Sequence, residues 1–450
     1  MSRLLTNLLL TLTIASVAVA ENQRPNMVFI MADDLGYGDL GCYGSELIMT
    51  PHIDRLAAEG MRFTQCYAGS PVCAPSRSVL MTGLHTGHTT VRGNFGQGGV
   101  VGLAGNPGRV PLAEEDVTIA EVLQSAGYAT GMTGKWGLGE PSTTGEPLKQ
   151  GFDSWFGFLN QRRAHSHYPE FLWLQDRRFD LPGNTNGKEQ QYAHDLFTDF
   201  ALDFIRDHAD RPFFLYLPYT LPHDRLEVPD LGPYGERPWS AQEKAYAAMG
   251  SRIDADVGRI TTLIEELGIA ENTIVFFCSD NGAANRYDGL FDSSAHLRGR
   301  KRDLYEGGLR VPMVVRWPQK IPADSTSDQS WYFADVLPTR VDLAGIRETT
   351  STDGVSILPT LLGHSQDLSD RFLYWEFYEL GFQQAARRGK WKCLRLQQNG
   401  PLELYNLDVD PAEANNVASH YADVARRFEA YLATAGTVSE QFPREKIAGH

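Results

Sequence analysis

Two acidic turns carry side chains that could hold a metal ion. Asp33-Asp34-Leu35-Gly36 follows one short apolar run, and Ser279-Asp280-Asn281-Gly282 follows another. Carboxylate and amide oxygens are hard ligands, which suit Ca²⁺ or Mg²⁺ better than a soft transition metal. The glycine in each turn permits a sharp change of direction that aims these groups. Because one acidic turn alone is usually just a solvated turn, the prediction depends on the pair.

A cysteine stands where it could act as a nucleophile. The run from Cys73 to Arg77 reads C-A-P-S-R and continues as S-V-L-M-T-G to Gly83. Pro75 suits the first turn of a helix, so Cys73 is predicted at a helix N-terminus, where free backbone N–H groups attract anions. Arg77 lies about one helical turn later and can face the same site. The residues alone leave a buried structural cysteine or an ordinary reactive thiol open.

The run from Cys73 to Gly83 resembles the signature of the type I sulfatases, the formylglycine-dependent arylsulfatase family of the alkaline phosphatase superfamily. That signature is C-x-P-S-R followed at a fixed distance by T-G. The resemblance implies that a maturation enzyme oxidises Cys73 to formylglycine (3-oxoalanine). In the family, one hydroxyl of the hydrated aldehyde attacks sulfur to give a sulfoenzyme. The other hydroxyl then expels inorganic sulfate, a step that a serine could not perform.

Three further elements of the family follow along the chain. The stretch from Gly134 to Gly139 reads G-K-W-G-L-G and resembles the family's G-K-W-H-L-G element. Leu221-Pro222-His223 resembles an element whose histidine contacts the substrate oxygen. Lys301 begins a stretch that matches K-x-x-x-Y-E-G-G-x-R-V-P. A lone lysine or histidine is normally a surface residue, so these elements carry weight only as a set.

The resemblance also implies a role for each of these side chains. One Ca²⁺ would be held by Asp33, Asp34, Asp280, Asn281 and the modified Cys73. Arg77 would hold the aldehyde hydrate, while Lys135 and Lys301 would clamp sulfate oxygens. His223 or Lys301 would protonate the leaving alcohol, with histidine favoured because its unperturbed pKa is about 6.5. Two lysines, an arginine and Ca²⁺ supply the positive charge that sulfuryl transfer needs.

Gly137 departs from the family pattern. Many members carry a histidine there, which hydrogen-bonds the hydrated aldehyde. His165 and His167 could replace that contact, and we predict that their segment, residues 161–169, lines the pocket and reads the sugar of the substrate. A surface loop is an equally good interpretation of the same segment.

Apolar runs that alternate with helical patterns predict the fold class. Buried strands are predicted at Asn26–Ala32, Ala129–Thr133, Pro212–Tyr219, Thr273–Cys278 and Val311–Val315. Helices are predicted at Thr118–Ala126, Asp195–His208 and Ala245–Leu267. This alternation indicates an α/β fold with a large mixed, mostly parallel sheet sandwiched by helices. In such sheets ligands bind outside the carboxyl ends of the strands, which is where the candidate site residues fall.

The pattern changes after about residue 365. Short antiparallel strands are predicted at Phe372–Phe377, Gln384–Arg388, Trp391–Leu396 and Leu402–Asn406, followed by a helix over Tyr421–Leu432. We therefore predict a sulfatase catalytic domain at residues 21–365 and a smaller C-terminal α+β domain at residues 366–450.

Composition limits the partners and the compartment. The chain of 450 residues carries a formal net charge of −15, which disfavours nonspecific nucleic-acid binding. Such a surface would also repel polysulfated polymers at long range, so a local basic pocket must attract an anionic substrate. Residues 1–20 resemble a secretory signal peptide that ends in Ala18-Val19-Ala20. Export to a periplasm or beyond, with no membrane span, is the predicted fate.

The five cysteines do not indicate a disulfide scaffold or a zinc site. An odd count leaves at least one cysteine unpaired. If Cys73 is modified, one or two disulfides remain possible in a pairing that the sequence leaves open, among Cys42, Cys66, Cys278 and Cys393. The chain has no C-x-x-C motif and no histidine-rich cluster of the kind that holds zinc.

The leading hypothesis is hydrolysis of sulfate esters, in particular of a sulfated carbohydrate. One alternative is a formylglycine-dependent phosphonate or phosphodiester hydrolase of the same superfamily. Another is an inactive relative that binds sulfated glycans. A two-metal phosphatase is disfavoured, because the extra aspartate and histidine ligands for a second ion are not evident.

Overall fold

The computed structural model describes residues 24–103, 105, 108–284, 289–347 and 351–445. The predicted signal peptide, residues 1–20, lies outside the described residues. Among the helices of these ranges, none is long and apolar enough to cross a membrane. All five cysteines lie within the described ranges and are free thiols, so the disulfides considered from the sequence are not formed here.

Within these ranges the chain forms fifteen β-strands and nine α-helices. The strands are β1 (Asn26–Ala32), β2 (Met61–Tyr67), β3 (Ala129–Lys135), β4 (Ser154–Phe158), β5 (Phe171–Leu174), β6 (Arg177–Asp180), β7 (Phe213–Pro218), β8 (Thr273–Ser279), β9 (Arg310–Arg316), β10 (Ser325–Ser327), β11 (Trp331–Tyr332), β12 (Leu373–Phe377), β13 (Gln383–Arg388), β14 (Trp391–Arg395) and β15 (Glu403–Asn406). The helices are α1 (Pro51–Ala58), α2 (Cys73–Thr82), α3 (Ile119–Ser125), α4 (Ala193–Asp207), α5 (Ala241–Glu266), α6 (Glu306–Leu309), α7 (Val336–Leu343), α8 (Leu358–Leu361) and α9 (Ala422–Leu432).

The large sheet has eleven strands and is mixed. Its order is β10-β2-β9-β8-β1-β7-β3-β4-β5-β6, and β11 also pairs with β2. The five central strands, β8-β1-β7-β3-β4, run parallel. The pairs of β9 with β8 and β2, and of β5 with β4 and β6, are antiparallel. The predicted fold class is confirmed, with a parallel centre between mixed edges.

Helices cover both faces of this sheet because its central strands are apolar on both sides. On β1, Met27, Phe29 and Met31 pack in one hydrophobic core with residues of α2, α3 and α7. Val28 and Ile30 of the same strand pack in a second core with residues of α1, α4 and α5. A continuous apolar run is typical of such a doubly covered strand.

The small C-terminal sheet is antiparallel throughout, in the order β12-β13-β14-β15. One face packs against α9 through Phe428 and Leu432. The other face contributes Trp375, Leu394 and further side chains to a core shared with the large sheet. The four predicted strands and the final helix are confirmed, while the domain boundary near residue 365 stays a prediction.

A buried ion network joins the small sheet to the large one. The Lys392 ammonium on β14 lies 2.9 Å from Glu306 Oε1 and 3.0 Å from Glu413 Oε1, with all three side chains fully buried. The Tyr67 hydroxyl donates to Glu306 Oε2 at 2.7 Å, and Arg310 lies 3.5 Å from the same oxygen. Glu306 begins α6, so the network holds the segment that follows Lys301.

Candidate active site

The predicted site residues meet at the carboxyl ends of four adjacent parallel strands. Asp33 and Asp34 follow β1, and Asp280 and Asn281 follow β8. Lys135 is the last residue of β3, and His223 lies in the loop after β7. Neighbouring parallel strands end at the same edge of a sheet, which is why residues far apart in sequence come together here.

Cys73 begins α2, as the sequence predicts. Its Sγ lies 3.5 Å from Asp33 Oδ1. The preceding Val72 caps the helix without a side-chain hydrogen bond. One of the first backbone N–H groups, that of Ala74, donates to Asn94 Oδ1 at 3.1 Å. All ten residues of α2 are buried, so the nucleophile candidate is held on a rigid element.

Arg77 ties three elements together one turn into α2. Its Nε and Nη2 donate to Asp280 Oδ2 at 3.1 and 2.8 Å. Its Nη1 donates to the Lys135 carbonyl at 2.6 Å. Two charge-assisted hydrogen bonds from one guanidinium to a single carboxylate oxygen hold both partners in place. Arg77 therefore fixes α2 against the ends of β3 and β8.

Two lysines neutralise the acidic pair after β1. Lys135 Nζ donates to Asp33 Oδ2 at 2.5 Å, and Lys301 Nζ donates to Asp34 Oδ2 at 2.7 Å. Burial alone would raise the pKa of Asp33, but the Lys135 ammonium holds that pKa well below its usual range. The pKa of Asp34 is lowered in the same way, with Lys301 opposing burial. Both carboxylates are therefore ionised at neutral pH.

The four oxygen-bearing side chains fit a hard divalent cation. Asn281 Oδ1 is buried and has no hydrogen-bond partner among the described residues. The Asn281 Nδ2 donates to Asp34 Oδ1 at 2.7 Å, so the Oδ1 of the same amide points away from Asp34. Burial and repulsion from Asp33 raise the pKa of Asp280 to about 6. A cation of the Ca²⁺ type would relieve both the unpaired oxygen and the repulsion between carboxylates.

The turn geometry that positions these ligands differs in detail from the prediction. Asp34 itself adopts a left-handed conformation, with φ at 67°. Gly36 and Gly282 are needed for close approach: a Cβ on Gly282 would lie 1.9 Å from the Gly307 carbonyl oxygen. A Cβ on Gly36 would lie 2.2 Å from the Ser293 carbonyl oxygen. These contacts bring the backbone at Ser293 and Gly307 against the acidic turns.

His223 is a neutral imidazole in this arrangement. Its Nδ1 lies 2.8 Å from the Asp224 carbonyl oxygen, which can only accept, so Nδ1 carries the proton. Its Nε2 lies 3.1 Å from Lys301 Nζ and accepts from that ammonium. Burial and then Lys301 lower the pKa of His223. The proton nearest the site is thus on Lys301, next to the histidine.

The two histidines predicted to read the substrate have different positions. His165 lines the cavity in front of Cys73, with its ring centroid 4.3 Å from that of His223. His167 is fully buried; its Nε2 lies 3.1 Å from the His223 carbonyl and its Nδ1 lies 3.2 Å from Thr220 Oγ1. Both ring nitrogens of His167 therefore already have protein partners. We correct the prediction that His167 contacts the substrate: this side chain supports the loop that carries His223.

Gln161 fills the space beside Gly137. A Cβ on Gly137 would lie 3.0 Å from Gln161 Oε1. The Gln161 amide donates to Asn94 Oδ1, the same oxygen that accepts from Ala74 at the start of α2. Both side chains line the cavity. Asn94 was not identified from the sequence because no local pattern marks it, and Gln161 was included only as part of a segment.

Replacing Gly137 by alanine is expected to cost about 1–2 kcal/mol of unfolding free energy, because its φ of 77° is left-handed. Urea unfolding measures this loss. Gly235→Ala is the matched control, since Gly235 has a φ of −51° and open surroundings. A compatible glycine tolerates alanine or gains up to about 1 kcal/mol. Equal stability of the Gly137→Ala and Gly235→Ala variants would contradict the left-handed conformation assigned to Gly137.

The site opens into a cavity of about 1000 Å³. Asp34, Cys73, His223 and Lys301 lie together on its wall. Pockets of roughly 300–1,000 Å³ enclose drug-sized ligands, so this cavity has room for more than one sugar ring. The arrangement places a potential nucleophile, two ammonium groups and a metal-binding oxygen set around one buried point.

A family model described as Sulfatase matches residues 25–346 of this chain. The chain belongs to the sulfatase family. A second model, described as N-sulphoglucosamine sulphohydrolase, C-terminal, matches residues 296–436 of this sulfatase. Membership makes the protein a sulfuric ester hydrolase, in agreement with the leading hypothesis from the sequence.

Relatives and solved structures extend over nearly the whole sulfatase. N-acetylgalactosamine-6-sulfatase of Canis lupus familiaris is 33% identical over 435 residues, which cover 91% of this chain and 79% of the relative. Arylsulfatase A of Homo sapiens is 34% identical over 472 residues, covering 91% of this chain and 86% of the relative. The solved structure of Ps i-CgsB in complex with k-i-k-neocarrahexaose has a TM-score of 0.79 and 28% identity, and covers 94% of this chain and 96% of that chain.

Proposed function

We propose that this sulfatase releases inorganic sulfate from a sulfated carbohydrate, with Cys73 matured to formylglycine. The observation that carries the proposal is the position of Cys73: it begins a buried helix, beside Asp33, and faces a cavity of about 1000 Å³. Relatives named for N-acetylgalactosamine 6-sulfate and a neighbour solved with a carrageenan-type hexaose support a carbohydrate substrate.

The modified cysteine and the metal ion each supply one kind of chemistry. The hydrated aldehyde would supply two hydroxyls on one carbon, one to attack sulfur and one to release sulfate. The side chains that would hold Ca²⁺ are Asp33, Asp34, Asp280 and Asn281. When bound, the ion supplies positive charge next to the sulfate oxygens.

The side chains of the chain itself bind and orient the ester. Arg77, held by Asp280, would keep the nucleophile aligned at the start of α2. The buried Lys135 ammonium and the partly buried Lys301 ammonium would bind the sulfate oxygens. Because Lys301 Nζ lies 3.1 Å from His223 Nε2, we propose that this pair shares the proton given to the leaving alcohol oxygen. The sequence interpretation names His223 or Lys301 as the donor and favours histidine, whereas we propose that the two act together.

Mass spectrometry of active protein tests the modified nucleophile. The peptide that contains Cys73 is expected about 18 Da lighter than its thiol form, since CH₂SH becomes CHO. The same preparation is expected to release sulfate from at least one member of a panel of monosulfated monosaccharides. An intact thiol in fully active protein would refute the proposal. Turnover of phosphodiesters or phosphonates alone would favour the alternative hydrolase, and sulfated-glycan binding without turnover would favour the inactive relative.

Removal of calcium is expected to lower kcat more than about 100-fold, because a bound cation contributes several kcal/mol to stabilising transferred charge. Activity is measured before and after chelation with EGTA, and again after Ca²⁺ is restored. The melting temperature is expected to fall with the activity, since Asp33, Asp34 and Asp280 then repel one another. Unchanged rate and melting temperature in protein shown by elemental analysis to be metal-free would refute the metal site.

Three finer predictions from the sequence belong to the same proposal. Export directed by residues 1–20 would place the enzyme in a periplasm or outside the cell. Maturation would require a formylglycine-generating enzyme as a partner. The division into a catalytic domain at residues 21–365 and a smaller domain at residues 366–450 would separate the site from the small sheet that supports it.

A further inference from the structure

The charged side chains on the wall of the active-site cavity are mostly cationic, whereas the whole chain has a negative net charge. Its cationic side chains are Arg109, Arg162, Arg300, Lys301 and Arg302, and its carboxylates are Asp34, Asp224 and Asp303. The whole chain has a formal net charge of −15. A cationic, low-dielectric cleft in an acidic protein concentrates field lines and attracts anions locally.

Two of these arginines, Arg109 and Arg162, come from separate segments and line the same cavity as Gln161 and Asn94. Arg109 is held by a short antiparallel bridge, in which its N–H donates to the Val100 carbonyl at 2.9 Å and its carbonyl accepts from the Val100 N–H at 2.7 Å. The Arg162 N–H donates to Asn160 Oδ1 at 2.9 Å. The Arg109 guanidinium lies over the ring of Phe95, and the neighbouring Asn94 accepts a hydrogen bond from Gln161, which precedes Arg162. The two arginines therefore lie on neighbouring parts of the cavity wall.

Neither arginine belongs to the group that holds the nucleophile. The hydrogen bonds of Asp33, Asp34 and Asp280 come from Cys73, Arg77, Lys135 and Lys301 and from neighbouring backbone and amide groups. Arg109 and Arg162 therefore line the cavity beside the reacting centre and outside this group. Phe95, whose ring centroid lies 6.0 Å from the Arg109 guanidinium, adds an apolar surface.

We propose that Arg109 and Arg162 form a second anion subsite, which binds a sulfate or carboxylate on a sugar adjacent to the one that is desulfated. The inference rests on the proposed function and narrows it: the substrate is an oligosaccharide with anionic groups on at least two neighbouring sugars. A sulfate or carboxylate oxygen pair that both guanidiniums reach accepts charge-assisted hydrogen bonds from each of them. The apolar ring of Phe95 supports the sugar face.

Direct binding tests the subsite without requiring turnover. Calorimetry compares sucrose octasulfate, which presents sulfates on two rings, with glucose 6-sulfate, which presents one. In Arg109→Gln/Arg162→Gln, we expect Kd for sucrose octasulfate to rise at least tenfold and its dependence on salt to weaken. Kd for glucose 6-sulfate is expected to stay within twofold. Calorimetry with a 6-sulfated chondroitin disaccharide, which carries one uronate carboxylate, tests in the same proteins whether the subsite binds a carboxylate.

The charge-matched control is Arg206→Gln/Arg426→Gln, since both arginines are exposed on helices and each is paired with a neighbouring aspartate. An equal loss of octasulfate binding in this control, or no loss in the Arg109/Arg162 variant, would overturn the subsite. Unchanged melting temperatures show that the variants fold. If the wild-type protein releases sulfate from no ester while the binding difference holds, the proposed function fails and the subsite stands.

Discussion

Replacing Cys73 by alanine is expected to lower kcat by about 10⁴-fold or more, because removal of a nucleophile eliminates the covalent route that the other groups serve. The side chain begins α2, 3.5 Å from Asp33 Oδ1, and no other cysteine lines the cavity among the described residues. Sulfate release from the best monosulfated substrate measures the effect. Cys73→Ser is expected to be equally deficient in steady state, because a serine ester of sulfate cannot be expelled by elimination.

The control is Cys393→Ala, which removes a buried thiol from the small sheet, outside the site. That variant is expected to keep its kcat, although a small cavity in the core costs about 1 kcal/mol of stability. The melting temperature of Cys73→Ala is measured in parallel, so that inactivity is not mistaken for unfolding. A Cys73→Ala protein with the wild-type rate would exclude position 73 as the nucleophile.

Lys392→Met is expected to lose about 3–5 kcal/mol of unfolding free energy at pH 8, because it leaves two buried carboxylates without their shared cation. Burial raises the pKa of Glu306, but Lys392 and Arg310 outweigh it and hold that pKa at about 2. Burial and repulsion from Glu306 raise the pKa of Glu413 to about 7 despite Lys392. Without the ammonium both carboxyl pKa values rise in the folded state, so the variant loses stability as the pH rises through them.

Urea unfolding at pH 8 and pH 5 measures this effect, and the difference from wild type is expected to be smaller at pH 5, where the carboxyl groups protonate more easily. Lys390→Met is the matched control two residues away, since Lys390 is exposed and lies over the Trp391 ring. It is expected to change stability by less than about 1 kcal/mol. Lys392→Met/Glu413→Gln should regain part of the loss. Equal losses for Lys390→Met and Lys392→Met would contradict the network.

Local signals in the sequence were enough for the elements that place the site. The apolar runs that became β1, β7 and β8 are buried on both faces, and burial of that kind needs continuous hydrophobic sequence. Pro75 and the spacing to Arg77 predicted the start of α2. The acidic turns follow strands because a chain leaving a buried strand can expose or pair charged groups only beyond its end.

The edges of the large sheet were not predictable in the same way. β6 is exposed along its whole length and has no apolar alternation, and β10 has only three polar residues. β9 was recognised as a strand, but its antiparallel direction relative to β8 is a property of the sheet and not of its own residues. Strand direction and edge pairing are properties of the assembled sheet.

The amino-acid sequence was sufficient to nominate Cys73, Arg77 and the acidic turns, because their types and spacings are constrained by chemistry within short segments. The two lysines were nominated by the resemblance of their segments to elements of the sulfatase family. Folding alone settled which of them touch: Lys135 on Asp33, Lys301 on Asp34 and His223, and His167 behind the His223 loop. It also brought Gln161 beside Gly137, Asn94 beside Gln161, and Arg109 and Arg162 to the wall of one cavity. Contacts between residues tens to hundreds of positions apart depend on packing and sheet order, which no local pattern encodes.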